Sequence, residues 1–178
     1  MKKTIIFPFI AFLFLATSCP KPDNKPKPDV LPDATQTGAN TCGFLLNNNV
    51  WLPAGTSGSP GFEAQYYQGS FLLSARKKAG GSFPQWLSCG YYPIFGPGTY
   101  YLKSDIGGTS SATFSDVSSN CATEYTSKVK DSLNNFIIVT KLDSINRIIS
   151  GTFNMFFTNP GCDTLRITKG RFDAVYYY

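Results

Sequence analysis

The sequence contains no histidine among its 178 residues. Histidine is the commonest general base and a frequent metal ligand. Its absence excludes Ser-His-Asp and Cys-His catalysis, and any histidine-containing zinc site, within this chain. Acidic residues are also few, at 11 Asp and Glu. A glycosidase needs two carboxylates that face each other across a cleft, and nothing in the sequence indicates such a pair. We therefore expect no enzymatic activity, no catalytic residues and no cofactor.

The charged residues mark neither a nucleic-acid surface nor a metal site. The net charge is only +5, and the basic residues cluster only at Arg76-Lys77-Lys78. That triplet predicts the solvated end of a hairpin, so nucleic acid is not an expected partner. Asp143, Asp163 and Asp173 fall in or near predicted turns, but without the Asp-x-Asp-x-Asp spacing of a calcium loop. We expect these carboxylates to cap turns.

The sequence has no apolar run long enough to span a bilayer as a helix, which takes about 20 residues. The apolar stretch at residues 5–15 follows Lys2 and Lys3. It ends in the sequence LATSC at residues 15–19, in which three small residues precede Cys19. This order is typical of a signal peptide with a cleavage site. It predicts a lipoprotein signal peptide over residues 1–18 and makes Cys19 the lipidated first residue of the mature chain. The alternative is an ordinary secretory signal with a chance cysteine.

Lipidation at Cys19 would set the location of the protein. Two or more acyl chains, such as palmitate, hold a protein firmly on a membrane. We expect an outer-membrane lipoprotein that contacts the membrane through its N-terminal lipid and faces the periplasm or the cell surface. Residues 19–39 are rich in proline and lysine, which predicts a semi-rigid tether. The folded domain is expected over residues 40–178, a usual size for one domain.

Four cysteines follow the predicted anchor. An even number of cysteines outside the cytoplasm indicates disulfides, and four cysteines allow three connectivities. Cys121 follows a serine-rich loop and Cys162 lies in the turn Asn159-Pro160-Gly161, so both are expected at strand ends. This placement favours the pair Cys121–Cys162, which leaves Cys42–Cys89. The alternative is four free, buried thiols.

The mature sequence reads as many short strands separated by turns. Asn47-Asn48-Asn49 and Gln68-Gly69 predict two hairpins, because asparagine and glycine tolerate positive φ. Residues 147–158 alternate, with one face formed by Ile149, Gly151, Phe153, Met155 and Phe157. Lys169-Gly170 is expected to separate strands at residues 164–168 and 171–178. The pattern predicts an all-β fold, a single antiparallel β-sandwich or barrel-like domain of about nine to eleven short strands.

Aromatic residues are abundant and occur in tyrosine pairs. Adjacent residues of a strand point to opposite faces, so one tyrosine of each pair is expected in the core and the other in solvent. Exposed rings on neighbouring strands could form a platform for sugars or peptides, whereas cross-strand aromatic pairing would only stabilise a sheet. Trp51 and Trp86 are expected in the core. The candidate platform residues are Tyr66, Tyr92, Tyr101 and Tyr177.

Three blocks of sequence resemble a family of small Bacteroidota lipoproteins of unknown function. The blocks are LPDATQTGANTCGFLLNNNVWLP, RIISGTFNMFF and DTLRITKGRFD, and they contain the Ile-Ser-Gly-x-Phe and Gly-Arg-Phe-Asp strands of that family. The chain departs from the family at Asn47-Asn48-Asn49, where Asn-Gly is usual, and by placing Cys42 before Gly43. The resemblance implies an all-β lipoprotein and no catalytic residues.

Two functions follow from these observations. The first is a lipid-anchored cell-envelope lipoprotein that acts as a non-enzymatic structural or interaction module. The second is an accessory lipoprotein that binds a glycan or a peptide through exposed tyrosines. A glycan or another envelope protein is the expected partner in either case.

Overall fold

The computed structural model describes residues 30–79, 82–102, 109–117, 125–126, 134–158 and 161–178. The predicted signal peptide, Cys19, most of the tether and Cys121 lie outside these ranges. The described residues form eleven strands: β1 (Thr41–Leu46), β2 (Asn49–Trp51), β3 (Phe62–Tyr67), β4 (Ser70–Ala79), β5 (Ser82–Tyr91), β6 (Gly98–Tyr101), β7 (Ser110–Asp116), β8 (Tyr125–Thr126), β9 (Phe136–Asp143), β10 (Ile148–Phe157) and β11 (Leu165–Val175).

The strands form two antiparallel sheets that pack face to face. The six-stranded sheet has the order β2-β1-β11-β10-β9-β6, and the five-stranded sheet has the order β3-β4-β5-β7-β8. Both sheets contribute large side chains to one shared core, including Phe44 and Phe153 from the first and Leu73 and Phe114 from the second. The predicted all-β sandwich is therefore confirmed, since two layers bury one apolar face of each sheet.

Local sequence signals placed several strands correctly. The two predicted hairpins are present, and Asn47 and Asn48 adopt φ values of 47° and 69° at the first turn. Asparagine therefore supplies the positive φ that a tight hairpin requires. The predicted break at Lys169-Gly170 is wrong, because both residues lie inside the continuous strand β11, where the register with β1 and β10 shifts. Lys169 has a φ of 52°, which marks a bulge and not a turn between two strands.

Two reciprocal glycine–phenylalanine pairs hold β10 against β11. Gly151 lies opposite Phe172, and Phe153 lies opposite Gly170. A Cβ atom added to Gly170 would lie 2.5 Å from the Phe153 ring, and one added to Gly151 would lie 2.8 Å from Phe172. Each ring thus covers the glycine on the opposite strand, an arrangement that compensates for the missing side chain. This geometry gives a physical reason for the Gly-x-Phe spacing on both strands.

The substitution Gly170→Ala should destabilise the sandwich by about 1–3 kcal/mol, because the new methyl group overlaps the Phe153 ring in a close-packed core. Urea unfolding of the mature chain measures this change. Gly58→Ala is the matched control, since nothing lies within 4 Å of its Cβ position, and it should change stability little. Equal effects of the two substitutions would contradict the packing role of Gly170.

The segment before β1 is docked on the six-stranded sheet. We call residues 31–39 the strap. The Arg171 guanidinium donates a hydrogen bond to the carbonyl of Pro32 at 2.8 Å, and Lys141 Nζ donates to the carbonyl of Gln36 at 3.1 Å. Because Phe172 and Ala174 point into the core, Arg171 and Asp173 point outward, and the strap lies over them. The folded part therefore extends further toward the N-terminus than the predicted boundary between residues 39 and 40.

The Asp173 carboxylate is the centre of the strap contact. It is 1% exposed and accepts hydrogen bonds from Thr35 Oγ1 at 2.6 Å, Gly38 N at 2.8 Å and Ser150 Oγ at 2.7 Å. Thr37 and Ala39 also donate to it. Burial opposes ionisation, but these hydrogen bonds outweigh it and hold the pKa of Asp173 below its usual range. The prediction that Asp173 caps a turn is wrong, because it lies within β11.

Asp173→Asn should lower the free energy of unfolding by about 2–4 kcal/mol, because the amide cannot accept from all these donors. The folded-state pKa of Asp173 is depressed, so its contribution is complete above the unfolded pKa and declines as the pH falls below about 4. Urea unfolding of the wild-type and Asp173→Asn proteins should show that the difference in their free energies of unfolding becomes smaller from neutral to acidic pH. Asp143→Asn, at an exposed turn, should change stability less; a pH-independent gap would contradict the role of the ionised carboxylate.

Candidate functional site

The outer face of the five-stranded sheet exposes a tryptophan. On β5, Leu87 and Cys89 are fully buried, so Trp86 and Ser88 must point outward. Trp86 is 49% exposed, whereas Trp51 is 2% exposed. The expectation of a core position is confirmed for Trp51 and wrong for Trp86, because its neighbours in β5 take the inward positions. The alternation around Trp86 was the sequence signal that could have found this exposure.

Arg76 and several small hydroxyl side chains are the neighbours of Trp86 on adjacent strands. Arg76 of β4 and Ser115 of β7 are its direct cross-strand partners. Ser88, two residues along β5, lies between Ser74 and Thr113. A shallow concavity of about 450 Å³ lies beside the indole. Its lining consists of Ser74, Ala75, Arg76, Trp86 and Ser88.

An ion pair links this concavity to the neighbouring strand. Arg76 Nη2 lies 3.2 Å from Glu63 Oε1, and the two side chains are 33% and 23% exposed. The Tyr177 hydroxyl donates a hydrogen bond to Glu63 Oε2 at 2.6 Å, and Gln65 Nε2 donates to the Tyr177 oxygen at 3.0 Å. The hydrogen bond to the Glu63 carboxylate raises the pKa of Tyr177. The tyrosine therefore stays protonated and acts as a donor to Glu63.

Tyr177 reaches this face because the chain crosses from one sheet to the other after β11. Its amide donates to the carbonyl of Ala64 at 3.2 Å, and its carbonyl accepts from the amide of Tyr66 at 3.0 Å. The C-terminus thus runs parallel to β3 at the edge of the five-stranded sheet. A second concavity of about 430 Å³ lies here and includes Glu63 and Tyr177 in its lining. We call Trp86, Arg76, Glu63 and Tyr177 the Trp86 row.

The four tyrosines predicted as a platform do not share one face. Tyr66 points inward, with its ring 5.2 Å from that of Tyr176 and its hydroxyl donating to the carbonyl of Ile94. Tyr101 lies on β6 of the six-stranded sheet, and Tyr92 is 50% exposed in the segment after β5. Tyr177 alone of the four lies on the outer face of the five-stranded sheet. The prediction fails because Tyr66 takes the inward position of its pair, and because the sequence does not show which sheet the other tyrosines join.

The predicted disulfide Cys42–Cys89 is absent. Both residues are free thiols and fully packed in the core, Cys42 on the six-stranded sheet and Cys89 on the five-stranded sheet. Burial raises the pKa of Cys42 and raises that of Cys89 to about 12. The two side chains therefore behave as small apolar groups. Cys121 lies outside the described residues, so the bridge Cys121–Cys162 stays a prediction.

Neither Cys42 nor Cys89 should react with a maleimide in the native protein at about pH 8, because burial keeps the reagent out and disfavours the reactive thiolate. Both should react in guanidinium chloride. Mass spectrometry of the labelled peptides distinguishes the two states, and the unfolded sample is the control for reactivity. Rapid native labelling of either peptide, or its recovery as an oxidised Cys42–Cys89 pair, would contradict this assignment.

Asp143 and Arg76, two of the charged residues singled out in the sequence, have structural partners. The Asp143 carboxylate accepts from the amides of Ile145 and Asn146, which confirms the predicted turn cap. Arg76 begins the basic triplet in the last residues of β4, next to the β4–β5 hairpin as predicted, and its side chain pairs with Glu63. Within the described ranges, no three His, Cys, Asp or Glu side chains gather as a metal site would require.

No protein-family model, curated protein or solved structure matches the chain. The resemblance to small Bacteroidota lipoproteins therefore stays a prediction. Among the described residues, no helix has the length and apolar character needed to cross a membrane.

Proposed function

We propose that this protein is a lipid-anchored lipoprotein of the cell envelope whose β-sandwich acts as a non-enzymatic interaction module. The sequence LATSC at residues 15–19 supports the anchor, and its location as an outer-membrane lipoprotein follows from the anchor. The folded part begins with the strap, inside the predicted tether, so only a short segment separates Cys19 from the domain.

The half-exposed Trp86 is the observation that favours binding over a purely structural role. A scattered apolar side chain on a surface is ordinary. Trp86 instead lies in a concavity beside an arginine that forms an ion pair with Glu63. Concave surfaces that combine an aromatic ring with a few placed polar groups are typical of ligand sites. We assign the ligand-binding face to the outer side of the five-stranded sheet.

The two outer faces of the sandwich differ in a way that supports this assignment. The strap lies on the six-stranded sheet, where it covers Asp173. Along β3, β4 and β5, the outward side chains of the other sheet include Gln65, Ser74 and Trp86, which are partly or fully exposed. The chain that leads to the anchor thus occupies one face and leaves the Trp86 row accessible on the other.

Cys19→Ala should move the full-length protein from the membrane fraction to the soluble fraction, because the lipid attachment point is lost. Fractionation after a high-salt wash measures this change, together with incorporation of labelled palmitate. Ser18→Ala is the matched control, since it keeps a small residue before Cys19, and it should remain lipidated. Retention of the Cys19→Ala protein in washed membranes would contradict the anchor.

A further inference from the structure

We infer that the Trp86 row binds a chain of neutral sugar residues, with the Trp86 indole as the stacking surface and the other three side chains as hydrogen-bonding groups. This inference rests on the proposed interaction module and names its ligand class. The row lies on one face of four adjacent chain segments, from β5 through β4 and β3 to the C-terminus.

The charges of the row favour a neutral ligand. Arg76 and Glu63 lie 3.2 Å apart and neutralise one another, and the Tyr177 hydroxyl is hydrogen-bonded to the same carboxylate at 2.6 Å. A phosphate or acidic polymer would need basic groups that are not already paired with a carboxylate. The row offers donors and acceptors without net charge, which suits the hydroxyl groups of a sugar.

The surroundings of Trp86 favour a sugar over a peptide. Peptides commonly join a sheet at an exposed edge through main-chain hydrogen bonds. Trp86 lies on β5, which is paired with β4 on one side and β7 on the other, so its backbone offers no such edge. The neighbouring Ser74, Ser88 and Thr113 are hydroxyl side chains, and they make a poor groove for apolar side chains. An exposed indole with a polar rim fits a ligand that has an apolar face and polar edges.

The length of the row favours an oligosaccharide over a single sugar. Trp86 and Tyr177 are separated by three strand spacings, which amount to roughly 14 Å across the strands. Arg76, the partner of Trp86, lies opposite Gly61, whereas Tyr177 lies beside Gln65, so the two rings are also offset by four residues, or roughly 13 Å, along the strands. The Arg76–Glu63 pair lies between them, with Arg76 in the lining of one concavity and Glu63 in that of the other. A ligand that contacts both aromatic ends must therefore run diagonally over the sheet. Affinity should rise with the number of linked sugars until the row is filled.

The test is a binding titration of the full chain in detergent with neutral oligosaccharides. The probes are maltoheptaose, cellohexaose, xylohexaose, mannohexaose and chitohexaose, each compared with its monosaccharide and with an acidic oligogalacturonide. At least one neutral oligosaccharide should bind more tightly than its monosaccharide and than the acidic probe. Its affinity should change by less than about twofold between 0.05 and 0.5 M salt, because no net charge is engaged.

Two substitutions locate the site. Trp86→Ala should weaken binding of that oligosaccharide by about tenfold, a loss that corresponds to about 1.4 kcal/mol. Tyr101→Ala is the matched control, because it removes a 41% exposed aromatic ring from the six-stranded sheet, and it should leave affinity unchanged. Binding that survives Trp86→Ala would overturn the inference, as would tighter binding of the acidic probe. So would the absence of binding by all five neutral probes.

A second measurement separates the ligand class from the interaction module itself. Oxidative footprinting reports the exposure of Trp86 with and without an envelope extract treated with periodate or with protease. Protection lost after periodate but kept after protease supports a glycan. Protection kept after periodate but lost after protease overturns the glycan and leaves the interaction module standing. No protection under any treatment, with no binding of any probe, would overturn both proposals.

Discussion

The ionised carboxylate of Asp173 is the interaction on which the arrangement of the domain depends. It accepts hydrogen bonds from the strap and from Ser150 of β10, while its own strand lies between β1 and β10. Leaving such a group buried without partners is costly. The Asp173 carboxylate gains its hydrogen-bond donors only when the strap and β10 are aligned with β11 as they are in this structure. One side chain thus ties the start of the folded part to its last strand.

The same strand connects this contact to the candidate site. From Asp173 the chain runs through β11 and then joins the edge of the other sheet, where Tyr177 pairs beside Gln65. A slip of one residue in β11 would turn its inward side chains outward. It would also displace the Tyr177 hydroxyl from Glu63. The register that buries Asp173 on one face therefore places Tyr177 on the opposite face of the sandwich.

Local patterns predicted much of the fold but little of the site. The alternation around Phe153 and the asparagine run that begins at Asn47 each span only a few residues. The sequence therefore shows β10 and the first hairpin directly. Asp173 and Thr35 are 138 residues apart, and no local pattern links them. The prediction of a tyrosine platform failed for a related reason. Alternation along a strand shows which side chains share a face, but not which sheet the strand joins. The exposure of Trp86 could have been predicted locally, because the apolar Leu87 and Cys89 alternate with it along β5.

The two faces of the sandwich balance stability and access in different ways. On the six-stranded sheet, Asp173 is fully covered, and its hydrogen bonds serve the fold. On the five-stranded sheet, Glu63 and Arg76 are partly exposed, so their pairing contributes little to stability. The ion pair and the half-exposed Trp86 thus contribute little to the fold, and we propose the ligand site on this face. Because Asp173 already has its hydrogen-bond partners within the chain, a ligand would have to break them to reach it, whereas the partly exposed groups of the Trp86 row would need no such rearrangement.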